Sequence, residues 1–311
     1  MITRRNLLKI GGAAAIFTPF AGFTIDPARA ATEPLFRFGI VADPQYAPVV
    51  PNLKSNRYYA NSLWKLSEAI DTLNKHDLQF VATLGDIIDR HWESFSHVLP
   101  LYDKLDHPSV LLLGNHDYDV AAEYLDSVQR TTGLDKAYSD FAGGGYRFIL
   151  LDGNDVSLFA PPKEDPRREV AAKRLDELKA KGASNAQSWN GSLGDEQFAW
   201  LQATIQKAEA AGEKVIVMCH YPVYPANEHN LWDSDRIVDL LAKSKNVVAY
   251  FNGHNHAGNY GELDGKHFVN FKGMVDTPDT TAYSVVEVYP DRIEILGYGR
   301  EENRTLKLAT A

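Results

Sequence analysis

The sequence predicts an α/β chain with some α+β character. Three observations predict it. Short apolar runs recur along the chain, stretches with helical spacing lie between them, and almost every run is closed by Gly, Asp, Asn or His.

Phe36 to Ala42 is the first run, and Asp43-Pro44 ends it. Arg57 to His76 follows with apolar residues at helical spacing (Leu63, Leu66, Ile70 and Leu73) and reads as a helix. Phe80 to Leu84 is closed by Gly85-Asp86, and Val110 to Leu113 by Gly114-Asn115. Tyr146 to Leu151 is closed by Asp152-Gly153, Val215 to Met218 leads to His220, and Val247 to Phe251 leads to Asn252-Gly253-His254. Unbroken apolar runs suit strands covered on both faces, and helices between them suit a sheet core. Ser284 to Tyr289 and Arg292 to Tyr298, joined by Pro290-Asp291, read as a hairpin, so the C-terminal part is more purely β.

The segment from Asn154 to Asn190 is the least regular. It carries Pro161, Pro162, Pro166 and many charges, with one helix expected over about 167–180. It reads either as solvated decoration or as a lid over a substrate pocket.

The first thirty residues read as an address. Arg4-Arg5 and Lys9 precede a small and apolar stretch from Ile10 to Phe23, and Ala28-Arg29-Ala30 offers a signal-peptidase site. Paired Arg before Leu-Leu-Lys resembles the twin-arginine type, which implies the twin-arginine export machinery as a partner and a periplasmic or secreted location. The other reading is a membrane anchor, but the stretch falls short of the roughly 20 residues a span needs, so no stable membrane insertion is expected. The expected mature domain is 31–311, about 280 residues, enough for one large core.

Hydrophobic residues make up 44% and charged residues 23% of the chain, ordinary for a globular protein. The net charge of −9 becomes more negative once the basic leader is set aside. That surface excludes sequence-independent nucleic-acid binding, which needs a basic face. An anionic substrate would need local positive charge, which bound cations supply. Cys219 is the one cysteine, so no intrachain disulfide forms, and its apolar setting points to a buried inert thiol.

The residues that close the runs are metal-ligand types: Asp43 and Gln45, Asp86, Asn115-His116-Asp117, His220, then His254 and His256. Each is weak evidence alone. Five clusters in order, each at the end of a strand, place them together at one sheet edge, where open α/β sheets carry their sites.

Asp43-x-Gln45, Gly85-Asp86-Ile87-Ile88-Asp89, Gly114-Asn115-His116-Asp117, His220 and Gly253-His254-Asn255-His256 resemble, in order, the motifs of the calcineurin-like metallophosphoesterases. The resemblance implies a four-layer αββα sandwich and two divalent cations. One would take Asp43, Gln45, Asp86 and His256. The other would take Asp86, Asn115, His220 and His254, with Asp86 shared. Two such cations clamp the attacking and leaving oxygens of a phosphoryl group. His116 would stabilise the phosphoryl oxygens or protonate the leaving group, with Asp117 holding its ring.

Gln45 stands where His is commoner. An amide oxygen tilts preference toward Mn²⁺ or Mg²⁺ over Zn²⁺, or it is simply tolerated. Mn²⁺ is the favoured ion, with Mg²⁺, Fe or Zn²⁺ as the others. Asp43-x-Gln45-Tyr46, Arg57-Tyr58-Tyr59, Trp189-Asn190-Gly191 and His220-Tyr221-Pro222-Val223-Tyr224-Pro225 further resemble the manganese-dependent ADP-ribose/CDP-alcohol diphosphatases. That implies a nucleotide-type small-molecule substrate, cut to a nucleoside monophosphate and a phosphorylated alcohol or sugar. A cyclic-nucleotide or general phosphodiesterase, or a phosphomonoesterase, is the alternative in the same chemistry. A non-catalytic metal- or nucleotide-binding module is the alternative outside it. Tyr46 and Tyr224 are the candidates for stacking on a base. Tyr58 and Trp92 read as packing, and His91, His97 and His229 as surface residues.

Overall fold

The computed structural model describes residues 33–309, and the leader expected over 1–30 lies outside them. Among the described residues no helix is long and apolar enough to cross a membrane.

In chain order the regular elements are β1 (Phe36–Val41), α1 (Ser62–Leu73), β2 (Val81–Leu84), α2 (Ser94–Tyr102), β3 (Ser109–Leu112) and α3 (Leu125–Thr131). Then come β4 (Ser139–Gly143), β5 (Tyr146–Leu150), α4 (Arg167–Ala180), α5 (Asp195–Ala210), β6 (Lys214–Met218) and α6 (Ser234–Lys243). The chain ends with β7 (Val247–Asn252), β8 (Asn259–Leu263), β9 (Lys266–Asn270), β10 (Ala282–Val288), β11 (Arg292–Gly299) and β12 (Arg304–Lys307).

The strands form two six-stranded sheets, ordered β12-β11-β10-β1-β2-β3 and β4-β5-β6-β7-β9-β8. β1, β2 and β3 run parallel, as do β5, β6, β7 and β9. The sheets pack face to face through alternate residues of strands buried on both sides. Ala82 and Leu84 of β2 join Ile216 and Met218 of β6 in the central core. Their neighbours face outward: Val81 meets Leu66, Ile70 and Leu73 of α1, while Val215 and Val217 meet Leu201 and Ile205 of α5. Phe38 stacks on Phe80 at 4.9 Å and meets Phe148 of the other sheet edge-on at 5.5 Å. Each such side chain contributes about 1.5–3 kcal/mol on burial. Helices, sheet, sheet, helices is the four-layer order the motifs implied.

The helix expected from Arg57 begins only at Ser62. The Arg57 backbone instead bridges to Asn52 and to Asp276, and Tyr59–Asn61 form a 3-10 turn. The irregular segment holds its helix at Arg167–Ala180, where Ala171 and Leu175 pack with Val156 and Trp232. It is tied at both ends: Asn154 donates to Leu113 O and accepts from Tyr221 Oη, and Asn190 donates to Glu228 O.

Candidate metal centre

The C-terminal ends of β1, β2, β3, β6 and β7 point to one edge of the sandwich, and the turns beyond them carry the candidate residues. These turns are tight. Asp43, Gln45, Asp86 and His254 have φ of 48°, 43°, 51° and 68°, the left-handed region, so each side chain turns back over the strand ends. Gly85, at φ 87°, and Gly114 make room. A Cβ on either would collide with the His220 imidazole, and one on Gly114 would also strike the Asp86 carboxylate.

The three imidazoles are held by their outward nitrogens. His220 Nδ1 donates to Leu84 O at 2.8 Å, His254 Nε2 to Asn190 Oδ1 at 3.0 Å, and His256 Nδ1 to Asp276 Oδ1 at 2.9 Å. Each ring therefore turns its other nitrogen to the same space, the arrangement that fixes metal-binding histidines. His220 Nε2 and His254 Nδ1 come within 3.1 Å there, and His220 Nε2 lies 3.3 Å from Asn115 Oδ1.

Two carboxylates complete the cluster, both fully buried. Asp86 Oδ1 accepts from His116 N at 2.9 Å, and its Oδ2 accepts from Gln45 Nε2 at 2.8 Å and lies 3.4 Å from His220 Nε2. Asp43 accepts from His254 N and lies 3.6 Å from His256 Nε2. Burial opposes the charge on Asp86, yet His220 and His116 hold its carboxyl well below the usual carboxylate range. Burial raises Asp43, with Asp86 adding to the rise against the pull of His256 and His220. Burial alone would push His220 down, but Asp86 and Asp43 raise it to about 9. Burial, with His220 beside it, holds His254 well below its ordinary value.

These residues fit a pair of divalent cations. His220 Nε2 and His254 Nδ1, 3.1 Å apart, share a proton in the ion-free site, and a cation can take that proton's place. The Gln45 carbonyl oxygen is buried without a hydrogen-bond partner among the described residues. Ligand atoms of Asp86, His220 and His254 lie within 4.8 Å of one another, as do those of Asp43, Asp86 and His256. Asp86 belongs to both groups. The structure thus brings all seven expected ligand residues together, Asn115 and Gln45 included.

His116 sits at the rim, half-buried. Its Nδ1 lies 3.2 Å from both the carbonyl oxygen and Oδ1 of Asp89. Burial would lower this imidazole, but Asp86 and Asp89 raise it above its ordinary value. The expectation that Asp117 holds the ring is corrected. Asp117 lies beneath the loop, accepting from Gly114 N at 2.9 Å and Ile88 N at 3.0 Å, with both oxygens committed to backbone. Asp89 was visible in the Gly85–Asp89 motif, and nothing in its spacing marked it as the partner of His116.

Tyr46 is also corrected. It is only 5% exposed, packed between helix and sheet with its hydroxyl on His97 Nδ1, and has no ring face free for a base. Tyr224 is half-buried, its ring 5.1 Å from that of Phe268. Trp92 stacks on Tyr124 at 5.0 Å. His229 comes closer to the centre than a surface reading allows, with its ring 5.3 Å from that of His254. Asn190 and Asp276, the acceptors behind His254 and His256, were missed as site residues because neither is a strand-end ligand.

A family model described as calcineurin-like phosphoesterase matches residues 36–258. The manganese-dependent ADP-ribose/CDP-alcohol diphosphatase of Oryza sativa subsp. japonica is 33% identical over 296 residues, covering 85% of this chain and 92% of that protein. The Mus musculus protein of the same name is 31% identical over 320 residues, covering 89% and 94%. Among solved structures, a dimetal phosphatase from Danio rerio is similar with a TM-score of 0.80 and 25% identity, over 89% of this chain and 100% of that one.

Proposed function

Since the chain belongs to the calcineurin-like phosphoesterase family, we propose that it hydrolyses the diphosphate of a nucleoside diphosphate-X substrate such as ADP-ribose or a CDP-alcohol. The products are a nucleoside monophosphate and a phosphorylated sugar or alcohol. The observation that carries this reading is the near full-length similarity to the diphosphatases together with the converged ligand set, Gln45 included.

Asp43, Gln45, Asp86 and His256 would hold one cation, and Asp86, Asn115, His220 and His254 the other. Manganese is favoured, in keeping with the names of the relatives and the oxygen donor of Gln45. When bound, two such cations neutralise charge on a phosphoryl group and make a nucleophile available from water at neutral pH.

The rest falls to the chain's own side chains. His116, raised above its ordinary value by Asp86 and Asp89, would give a proton to the departing phosphate oxygen. Asp89 fixes its ring. Leu84 O, Asn190 and Asp276 fix the three other imidazoles, so little reorganisation is needed during reaction. In the balanced reaction, one P–O bond of the anhydride breaks, water supplies oxygen to phosphorus, and a proton reaches the leaving group.

The test is to strip the protein of metal, reload it with Mn²⁺, Mg²⁺ or Zn²⁺, and offer ADP-ribose, a CDP-alcohol, a cyclic nucleotide and a simple monoester. AMP or CMP from the diphosphates, fastest with Mn²⁺, is the expected result. Turnover of only the monoester or the cyclic substrate would overturn the substrate assignment.

Export by the twin-arginine route, with cleavage after Ala30, is part of the same proposal and is supported by the order of basic, apolar and Ala-x-Ala segments. N-terminal sequencing of the exported protein tests it, and a mature chain beginning at Met1 would end it.

A further inference from the structure

Lys65 is a fully buried lysine that the reaction does not use. It projects from α1, and its Nζ donates to four successive carbonyls: Met274 O at 3.0 Å, Val275 O at 3.2 Å, Asp276 O at 2.7 Å and Thr277 O at 2.6 Å. Among the described residues no carboxylate pairs with this charge in contact, though Asp276 and Asp279 act on it from further away. The Asp276 carboxylate accepts from His256 and lies 3.8 Å from Arg300. An ammonium has three hydrogens, so four carbonyls at one point share them. The chain turns to make this possible, with Thr277 at φ 67°. The geometry is that of a backbone cage around a small monovalent cation.

The caged turn is also stitched to the site. Met274 N donates to Ala42 O and Val275 N to Asp43 O, while Asp276 orients His256. We propose that Lys65 is a positioning residue for one half of the metal centre: its ammonium serves as a resident monovalent cation that fixes the Met274–Thr277 turn, and through it Asp276, His256 and the Asp43 backbone. The other half, made by His220 and His254, is held by Leu84 O and Asn190, which Lys65 does not touch. Burial and Arg300 lower the lysine to about 8, against the pull of Asp276 and Asp279. The inference rests on the two-ion reading above.

The test is a calorimetric titration of Mn²⁺ into metal-free wild type, Lys65→Met and Lys65→Arg, with near-ultraviolet circular dichroism to verify the fold. Methionine keeps the length and packing and removes the charge. Arginine keeps the charge, but its flat fork cannot meet four carbonyls at one point. Wild type should take two ions. In both variants one ion should bind about 10–100-fold more weakly, the usual cost of losing a group behind a ligand, while the other is unchanged. Adding His256→Ala should then remove only the weakened ion, whereas adding His254→Ala should remove only the other. In Lys65→Ala, potassium or ammonium should restore the weakened ion and tetramethylammonium should not, because only the small ions fit the cage. Equal affinities in wild type and Lys65→Arg, or equal weakening of both ions, would overturn the role of Lys65. A single equivalent in wild type would overturn the two-ion reading itself.

Discussion

Asp89 Oδ1 lies 3.2 Å from His116 Nδ1, which places the rim imidazole under the control of a fully buried carboxylate. Asp89 also receives Arg90 Nε at 2.5 Å, so its own charge is anchored from the other side. Asp89→Asn should therefore lower kcat by about 10–100-fold, part of the contribution of a positioned general acid. Bound metal should stay at the wild-type stoichiometry. Asp89 holds His116 above its ordinary value, so its loss lowers that imidazole. A group needed in its protonated form then loses its proton sooner, and the alkaline limb of the rate profile should move to lower pH.

Asp117 is predicted to act on stability. Its two oxygens satisfy Gly114 N and Ile88 N, both inaccessible to water. Asp117→Ala leaves these donors unpaired and should cost about 2–4 kcal/mol in chemical denaturation. Asp117→Asn keeps one acceptor and should cost less. A wild-type denaturation midpoint in the alanine variant would show that the loop does not depend on this carboxylate.

Metal affinity should depend steeply on pH. Without an ion, Asp86 and Asp43 hold His220 protonated up to about 9. A divalent cation must displace that proton. Apparent affinity should rise about tenfold per pH unit from neutrality and level off above the His220 value. Titrations at stepped pH measure this slope, and a flat profile would mean that His220 is already neutral in the empty site.

Asn190 joins the irregular segment to the centre through His254. Asn190→Ala removes the acceptor that fixes the ring and should weaken metal binding by about 10–100-fold. The segment should stay folded, since Trp232 Nε1 still donates to Gln187 O and Arg174 still reaches Ser192 and Leu193. Equilibrium dialysis with limited proteolysis separates the two effects.

Much of this was legible in the sequence because burial and chemistry coincide at strand ends. β1, β2, β3, β5, β6 and β7 are buried over most of their length, so they read as mainly apolar runs, and ligands follow all of them but β5. β4, β8 and β12 were not legible. They are edge strands rich in Ser, Asp, Gly, Asn, Arg or Lys, and are ordered by pairing with a neighbour rather than by their own pattern. The partners behind the ligands were hidden for a related reason. Asp276 is 20 positions from His256, Asn190 is 64 from His254, and only the fold brings them together. Tyr46 misled because adjacency to Gln45 in sequence says nothing about which way a side chain points after a left-handed turn.

The left-handed backbone at Asp43, Gln45, Asp86 and His254 has a consequence for how this protein can change. Such conformations cost about 1–3 kcal/mol where the residue is not glycine, and Gln45 has little natural tolerance for it. Without its ions, the chain therefore holds tension at the very positions that give it chemistry. Gln45→Gly should relieve the backbone strain but remove the buried donor to Asp86, so it should impair the metal centre with only a small net change in the melting temperature of the metal-free protein. Glycine at these turns would relax the backbone only by giving up the buried hydrogen bonds that the same side chains make.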